Sequence, residues 1–180
     1  LGMPLNVTAG SGMDALAHCL EAYCAPSFHP MSEGIALQGI LLIKENLEQV
    51  FHDGKNMSAR ANMLAAAMMG ATAFQRGLGA MHAIAHPIGA LFNTHHGMTN
   101  AILMPFVLDW NRKIIENRIE SLTRYIHIPG GFDGFRDWII KLRKSLGVPD
   151  GLANIGVERN KFDAIAKMSL LDPSGHGIPR

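Results

Sequence analysis

The sequence predicts an all-α fold, with roughly six to nine helices in one domain that spans residues 1–180. Apolar side chains recur at intervals of three and four residues along most of the chain, as they do on the buried face of a helix. The sequence carries no convincing alternation of apolar and polar residues, which would indicate strands. With 180 residues, 48% of them hydrophobic, the chain is long enough to bury a sizeable core.

The first helix is expected to begin at Ser11, in the segment SGMDALAHCLEAY. Leu16 and Leu20 recur there at helical spacing, and Pro26 ends the pattern. Ser11 and Asp14 also match a capping box, in which a serine caps the first turn of a helix. Asp14 therefore has a structural interpretation beside any chemical one.

Two further helices are predicted in the first half of the chain. The segment SEGIALQGILLIKENLEQVF, residues 32–51, is long and apolar with its charges late, and the turn HDGKN follows it. The segment SARANMLAAAMMGATAFQRG, residues 58–77, is rich in Ala and Met almost all round. That composition predicts a helix buried on most sides.

Two helical patterns that contain proline come next. Residues 81–92 carry a short pattern that we expect to be broken around Pro87 and Gly89, and the loop NTHHG follows it. Residues 98–122 predict a longer helix with a break or kink at Pro105.

The C-terminal part is predicted to hold two helices. The segment GFDGFRDWIIKLRKSLGVP, residues 131–149, has a clear apolar stripe and is stopped by Gly147. A weaker helical pattern covers residues 159–170.

Composition excludes several classes of function. The formal net charge is +1, without the clustered basic residues of a nucleic-acid interface. The longest apolar runs are far shorter than the ~20 residues of a membrane span, and the opening LGMPLNVTAG is not a charged-then-apolar leader. Cys19 and Cys24, five residues apart on one predicted helix, point in different directions, which favours free thiols in a reducing cytoplasm. We expect a cytoplasmic protein with no nucleic-acid or membrane partner.

Four of the nine histidines lie in one largely apolar segment, GAMHAIAHPIGALFNTHHGMTN, residues 79–100. Histidine does not fill cores, and a buried imidazole needs partners for two ring nitrogens. These four side chains are therefore surface groups, buried structural groups or ligands. They are His82, His86, His95 and His96.

The spacing of these residues permits a metal site. Asp14 and His18 lie four apart on a predicted helix, which puts their Cβ atoms about 5–6 Å apart and lets both converge on one ion. His82 and His86 repeat that spacing, and a loop returning His96 could complete an Asp-His-His-His set. Imidazoles with a carboxylate suit Fe(II) or Zn(II) better than Ca(II) or Mg(II). The alternative for His18 is a ring packed on an apolar face.

Two stretches carry a family resemblance: GMDALAHCLEAY, residues 12–23, and MHAIAHPIGALFNTHHGMTNAILMP, residues 81–105. The first contains D-x3-H. The second contains H-x3-HP-x-G, with H-G-x2-NA beginning ten residues after the HP histidine. This combination resembles the iron-containing (group III) alcohol dehydrogenases, above all their lactaldehyde, butanol and 1,3-propanediol dehydrogenase members. The resemblance covers most of the chain and is strongest over residues 1–105.

The resemblance implies roles for individual residues. His86 matches a histidine that lies between metal and nicotinamide in the family, which implies a catalytic and cofactor-binding role. His95 stands where many members have proline, so we assign it no ligand role; it either lines the cleft or is exposed, and we expect it to be exposed. The implied ligands of the catalytic metal, Fe(II) or alternatively Zn(II), are Asp14, His18, His82 and His96. The histidines expected on the surface are His29, His52, His127 and His176.

The resemblance also implies the setting of the domain. The chain is expected to be the C-terminal all-α domain of the dehydroquinate synthase-like fold, with an N-terminal α/β domain for NAD or NADP outside it. The complete protein would transfer a hydride between a small alcohol or aldehyde and NAD(P). It would form a homodimer or larger homo-oligomer, and the present fragment would be inactive alone.

Three other interpretations stay open at this stage. The chain could be a metal-binding helical domain without activity of its own. It could resemble the metal-free maleylacetate reductases, although such an enzyme has no need of all four ligand positions. A metal hydrolase would want a general-base carboxylate beside the metal; the sequence has no HExxH, and we expect no comparable Glu near these ligands.

Overall fold

The computed structural model describes residues 1–179, which fold into seven α-helices joined by short loops and short 3-10 helices. No strand occurs in this range, so the all-α prediction is confirmed. The helices are α1 (Leu5–Cys24), α2 (Pro30–His52), α3 (Met57–Ala73), α4 (Ala80–Phe92), α5 (His96–Tyr125), α6 (Gly131–Ser145) and α7 (Phe162–Leu171).

Helix α1 is the central element of the fold, and α2, α3 and α5 all pack against it. The largest of its fully buried side chains are Met13, Leu16 and Leu20. Many of its other residues are Ala or Gly, which lets neighbouring backbones approach closely. A functional side chain on α1 is therefore held by packing on several sides.

The predicted start of α1 at Ser11 is wrong, because the helix already begins at Leu5, after Pro4. Ser11 lies inside the helix and its hydroxyl donates to the carbonyl of Val7 at 2.7 Å. The residues before Ser11 have modest helix propensity, but packing of Gly10 and its neighbours overrides it. The capping-box interpretation of Asp14 is thereby excluded.

Helix α4 is continuous, so the predicted break around Pro87 and Gly89 is wrong as well. Pro87 has no N–H to donate to the carbonyl one turn earlier, but it is buried between helices that hold the segment in place. Pro105 likewise lies inside the unbroken helix α5. In both helices tertiary packing outweighs the cost of one missing hydrogen bond.

Helix α3 is much less buried than its composition predicted. Its fully buried residues are all small, among them Ala59, Ala66 and Gly70, whereas Leu64 and Met68 are 66% and 64% exposed. The even spread of Ala and Met around this helix obscures its buried side in the sequence. The predictions for α2, α6 and α7 are confirmed in type and approximate extent.

The C-terminal end of α1 is held by two arginines. Arg76 donates to the carbonyls of Ala22 and Tyr23 at 3.2 and 3.1 Å, and Arg118 donates to Tyr23 at 2.6 Å. Both guanidinium groups also pair with Glu33 on α2, at 2.7 and 3.0 Å. The free carbonyls at this helix end thus find charged donors, as helix ends require.

Cys19 and Cys24 are buried free thiols, as the sequence predicted. Burial raises the pKa of each thiol to about 12, so neither is reactive at neutral pH. Among the described residues, none of the helices is long and apolar enough to cross a membrane.

Candidate metal centre

The centre begins on α1, where Asp14 and His18 lie one turn apart. His18 Nδ1 is 3.7 Å from Asp14 Oδ2, and both side chains are about one-fifth exposed. Leu16 and Leu20 on the same helix are fully buried and fix its orientation in the core. The packing of α1 therefore fixes the side of the helix from which the pair projects.

Helix α4 contributes His82, which is almost completely buried. Its Nε2 atom lies 3.9 Å from Asp14 Oδ1, and its ring stacks on that of His18 with centroids 4.6 Å apart. One potential ligand atom from each of Asp14, His18 and His82 lies within 4.8 Å of the other two. That spacing is compatible with a single metal ion.

His96, the first residue of α5, brings a third imidazole to the same carboxylate. Its Nε2 atom lies 3.4 Å from Asp14 Oδ1. Its ring centroid is 5.2 Å from that of His82. The four residues that the sequence nominated as ligands thus converge from three helices around Asp14.

The sequence did not reveal Asn100, which lies one turn after His96 on the same face of α5. Its Nδ2 group donates toward Asp14 Oδ1 at 2.8 Å, His96 Nε2 at 3.0 Å and His82 Nε2 at 3.2 Å. Its Oδ1 atom is buried and has no hydrogen-bond partner among the described residues. The sequence signal that could have revealed Asn100 is the NA of the H-G-x2-NA motif.

These contacts fit a divalent cation. The atoms around Asn100 Nδ2 are one carboxylate oxygen and two imidazole nitrogens, and one amide group with two hydrogens cannot satisfy all three well. Nitrogen ligands about 2.1 Å from a tetrahedral metal lie about 3.4 Å from one another, close to the separations seen here. Three imidazoles and one carboxylate are the donor set of a transition metal.

Burial lowers the pKa of His18 and of His96. The neighbouring carboxylate of Asp14 opposes this effect in both residues, and the other imidazoles of the cluster add to it. Because the pKa values lie below the ordinary value of 6.5, both rings are neutral at neutral pH. Neutral imidazole is the form that binds metals.

His86 lies beside this cluster and is partly open to solvent. Its ring stacks on that of His96 with centroids 5.3 Å apart, and its centroid is 5.9 Å from that of His82. Its Nδ1 atom is 2.9 Å from Oδ2 of Asp172, which directly follows α7. Burial raises the pKa of Asp172, but hydrogen bonds from Ser174 and His86 outweigh it and lower the pKa.

The remaining histidines lie where the sequence predicted. His95 is exposed and caps α5, its Nδ1 atom accepting from the backbone N–H of Met98 at 3.4 Å. The other exposed histidines are His29, His52, His127 and His176.

A family model described as Fe-containing alcohol dehydrogenase family, C-terminal, matches residues 8–180. The chain belongs to this family. It is 40% identical to 4-hydroxybutyrate dehydrogenase of Cupriavidus necator, with 96% of the chain and 47% of that protein covered. It is 34% identical to 1,3-propanediol dehydrogenase of Citrobacter freundii, with 100% and 49% covered.

Comparison with solved structures supports the same assignment. A crystal structure of 1,3-propanediol oxidoreductase superposes with a TM-score of 0.95 at 33% identity, covering 99% of this chain and 49% of that one. The fold is therefore that of the C-terminal domain of Fe-containing alcohol dehydrogenases. The chain spans about half the length of the curated relatives it matches.

In this Fe-containing alcohol dehydrogenase domain, α1 and α5 meet at a glycine contact. A Cβ on Gly97 would overlap the backbone oxygen of Gly10 and lie 3.0 Å from the Cβ of Asp14. No backbone can yield there without moving α1 away from α5. The glycine of the H-G-x2-NA motif therefore sets the distance between Asp14 and His96.

We expect Gly97→Ala to lower the free energy of unfolding by about 1–3 kcal/mol, because an inserted methyl group forces the helices apart. Chemical denaturation measures this change. The control is Gly89→Ala on α4, where a Cβ would meet nothing within 4 Å. That variant should stay within about 1 kcal/mol of the wild type, on the stable side. Equal stability of the two variants would contradict the packing argument.

Proposed function

We propose that this chain is the metal-binding domain of an NAD(P)-dependent alcohol dehydrogenase. The complete protein would transfer a hydride between a small alcohol or aldehyde and NAD or NADP. The observation that supports this most directly is the convergence of one carboxylate and three imidazoles from α1, α4 and α5. The proposed ligands of Fe(II), or alternatively Zn(II), are Asp14, His18, His82 and His96.

A bound divalent ion would supply Lewis-acid polarisation of the alcohol or aldehyde oxygen. The nicotinamide would supply the hydride chemistry. We propose that an N-terminal α/β domain outside these 180 residues holds most of that cofactor, in keeping with the half-length coverage of the relatives. Residues 1–180 would then form one domain of two.

We propose that His86 moves the proton that accompanies hydride transfer. Its Nδ1 atom donates to Asp172 Oδ2 at 2.9 Å, which leaves Nε2 free to accept or donate a proton. Its stacking on His96 keeps the ring next to the proposed metal ligands. Its partial exposure leaves one side open for the nicotinamide. Asp172 acts here as a positioning residue, because it fixes the ring orientation.

The names of relatives indicate the class of substrate. The curated relatives include a 4-hydroxybutyrate, a 1,3-propanediol and a butanol dehydrogenase. We propose a short alcohol with a terminal hydroxyl, or the corresponding aldehyde, as substrate. We further propose a cytoplasmic protein that assembles as a homodimer or a larger homo-oligomer.

Two measurements test this proposal. Metal-reconstituted chain should contain about one Fe or Zn per molecule by elemental analysis, and the protein with both domains should oxidise NAD(P)H when given short aldehydes. Metal without turnover in the two-domain protein would favour a non-catalytic metal-binding domain. Turnover of a metal-free preparation would favour the maleylacetate reductase-like alternative.

A metal hydrolase is the weaker alternative on structural grounds. It would need a carboxylate free to act as a general base beside the metal. Glu21 is the nearby candidate, but its two oxygens already accept from His82 and two backbone N–H groups. Such a carboxylate is held in place and has no free position for a catalytic water.

A further inference from the structure

The buried carboxylate of Glu21 lies behind the proposed metal centre and is not among the proposed metal ligands. It is 6% exposed and projects from α1 toward the first turn of α4. A carboxylate is seldom buried to this extent unless several donors satisfy it. The groups around Glu21 must therefore supply hydrogen-bond donors to its carboxylate.

Three donors surround Glu21. The backbone N–H of Gly79 donates to Oε2 at 2.8 Å, and the backbone N–H of Met81 donates to Oε1 at 2.7 Å. His82 Nδ1 lies 2.6 Å from Oε2, which completes the shell. Glu21 thus accepts hydrogen bonds from free backbone N–H groups at the start of α4 and also contacts the imidazole of His82, which follows them.

The contact between His82 and Glu21 identifies the tautomer of the ring. An ionised carboxylate can only accept a hydrogen bond, so the neutral ring donates the proton of Nδ1 to Glu21 Oε2 at 2.6 Å. The lone pair on Nε2 then points into the proposed metal centre, 3.2 Å from Asn100 Nδ2 and 3.9 Å from Asp14 Oδ1.

We infer that Glu21 is a positioning residue of the metal centre, acting through His82. It selects the Nδ1–H tautomer, fixes the ring plane and raises the electron density on Nε2, as carboxylates behind metal-bound histidines do. This inference rests on the proposed function, since it assumes that His82 binds the metal. It assigns Glu21 no contact with metal, substrate or cofactor.

The packing around Glu21 leaves little room for an alternative position. A Cβ on Gly79 would lie 2.8 Å from Glu21 Oε1, so only glycine allows the carboxylate this close to the start of α4. Stacking of the His82 ring on His18 restrains its other face. The carboxylate and the ring are therefore held as one unit.

Glu21→Gln is the informative substitution because it preserves shape and changes the pattern of donors. If the amide nitrogen of the glutamine is turned toward Met81, its N–H donors face the backbone N–H of Met81, which is also a donor. With the amide turned the other way, it donates to His82 Nδ1 and drives the proton to Nε2, where it blocks the lone pair. In both orientations we expect Co(II) or Zn(II) to bind this chain 10- to 100-fold more weakly, roughly.

The matched control is Glu33→Gln, which also removes a partly buried carboxylate. Glu33 pairs with Arg76 and Arg118 and has no contact with the centre. It should lose stability without losing metal affinity, when both are measured by competition titration and chemical denaturation. Equal metal affinities for Glu21→Gln and the wild type would overturn the inference.

A second measurement does not depend on a variant. Nitrogen-15 NMR of the metal-free wild-type chain should show His82 as the Nδ1–H tautomer, and Glu21→Gln should raise the Nε2–H population. An Nε2–H tautomer in the wild type would overturn the inference even if Glu21→Gln failed to fold. A wild-type chain that binds no Co(II) or Zn(II) would instead contradict the proposed function. The tautomer would still report on Glu21 in that case.

Discussion

Replacing His96 by alanine is expected to weaken metal binding by at least about 100-fold, since loss of a ligand should cost no less than loss of a residue behind one. His96 Nε2 lies 3.4 Å from Asp14 Oδ1 and is partly exposed, so truncation removes a donor without opening a cavity in the core. Competition titration with a chromophoric chelator and elemental analysis measure the loss. In the two-domain protein, turnover should disappear together with the metal.

The neighbouring histidine provides a matched control. His95 is exposed and uses its ring to cap α5, a role that asparagine can fill. We expect His95→Asn to bind metal as the wild type does and to have nearly the same free energy of unfolding. Unchanged metal content in His96→Ala, or an equal loss in both variants, would contradict the assignment of His96 as a ligand.

The residues of this proposed site that the sequence could bring together are those whose spacing is local. Asp14 with His18, and His82 with His86, lie one helical turn apart, and that geometry depends only on helix formation. His96 reaches the same site only if a loop of suitable length follows α4, and the residues between α4 and α5 form such a loop. The sequence therefore nominated the proposed ligands before any packing was known.

The supporting residues were not predictable in the same way. Glu21 contacts His82 across 61 positions of sequence, and Asp172 contacts His86 across 86. Neither contact leaves a periodic or local signal, because each depends on how whole helices pack. In a single sequence, a carboxylate behind a metal ligand looks like any other acidic residue on a helix.

The errors in the predicted fold share one physical cause. Pro87 and the residues before Ser11 disfavour a helix by local propensity, yet both lie within helices in the structure. Close packing contributes more than the roughly 1–3 kcal/mol that such residues cost locally. The exposed methionine Met68 shows the converse, since an apolar composition alone did not bury its side of α3. Local sequence rules predicted which segments form helices well, but they predicted poorly where those helices begin and end.

His86→Ala in the two-domain protein is expected to keep the metal and to lower kcat by about 10²- to 10⁴-fold, the usual contribution of a positioned general acid or base. His86 touches the proposed ligand His96 only through ring stacking, and its own Nδ1 atom is committed to Asp172. Its removal therefore takes away a proton carrier without removing a donor from the metal. Steady-state kinetics with a short aldehyde and elemental analysis of the same sample test both parts.

Asp172→Asn separates orientation from proton transfer. Asparagine retains an oxygen that can accept from His86 Nδ1 but removes the negative charge, so the ring should stay close to its place. We expect kcat between those of the wild type and His86→Ala, with the metal content unchanged. Loss of metal in His86→Ala would mean that the roles of His86 and one ligand are exchanged. Wild-type kcat in His86→Ala would rule out a catalytic role for His86, and the proton would then have to reach solvent by a route that does not include this ring.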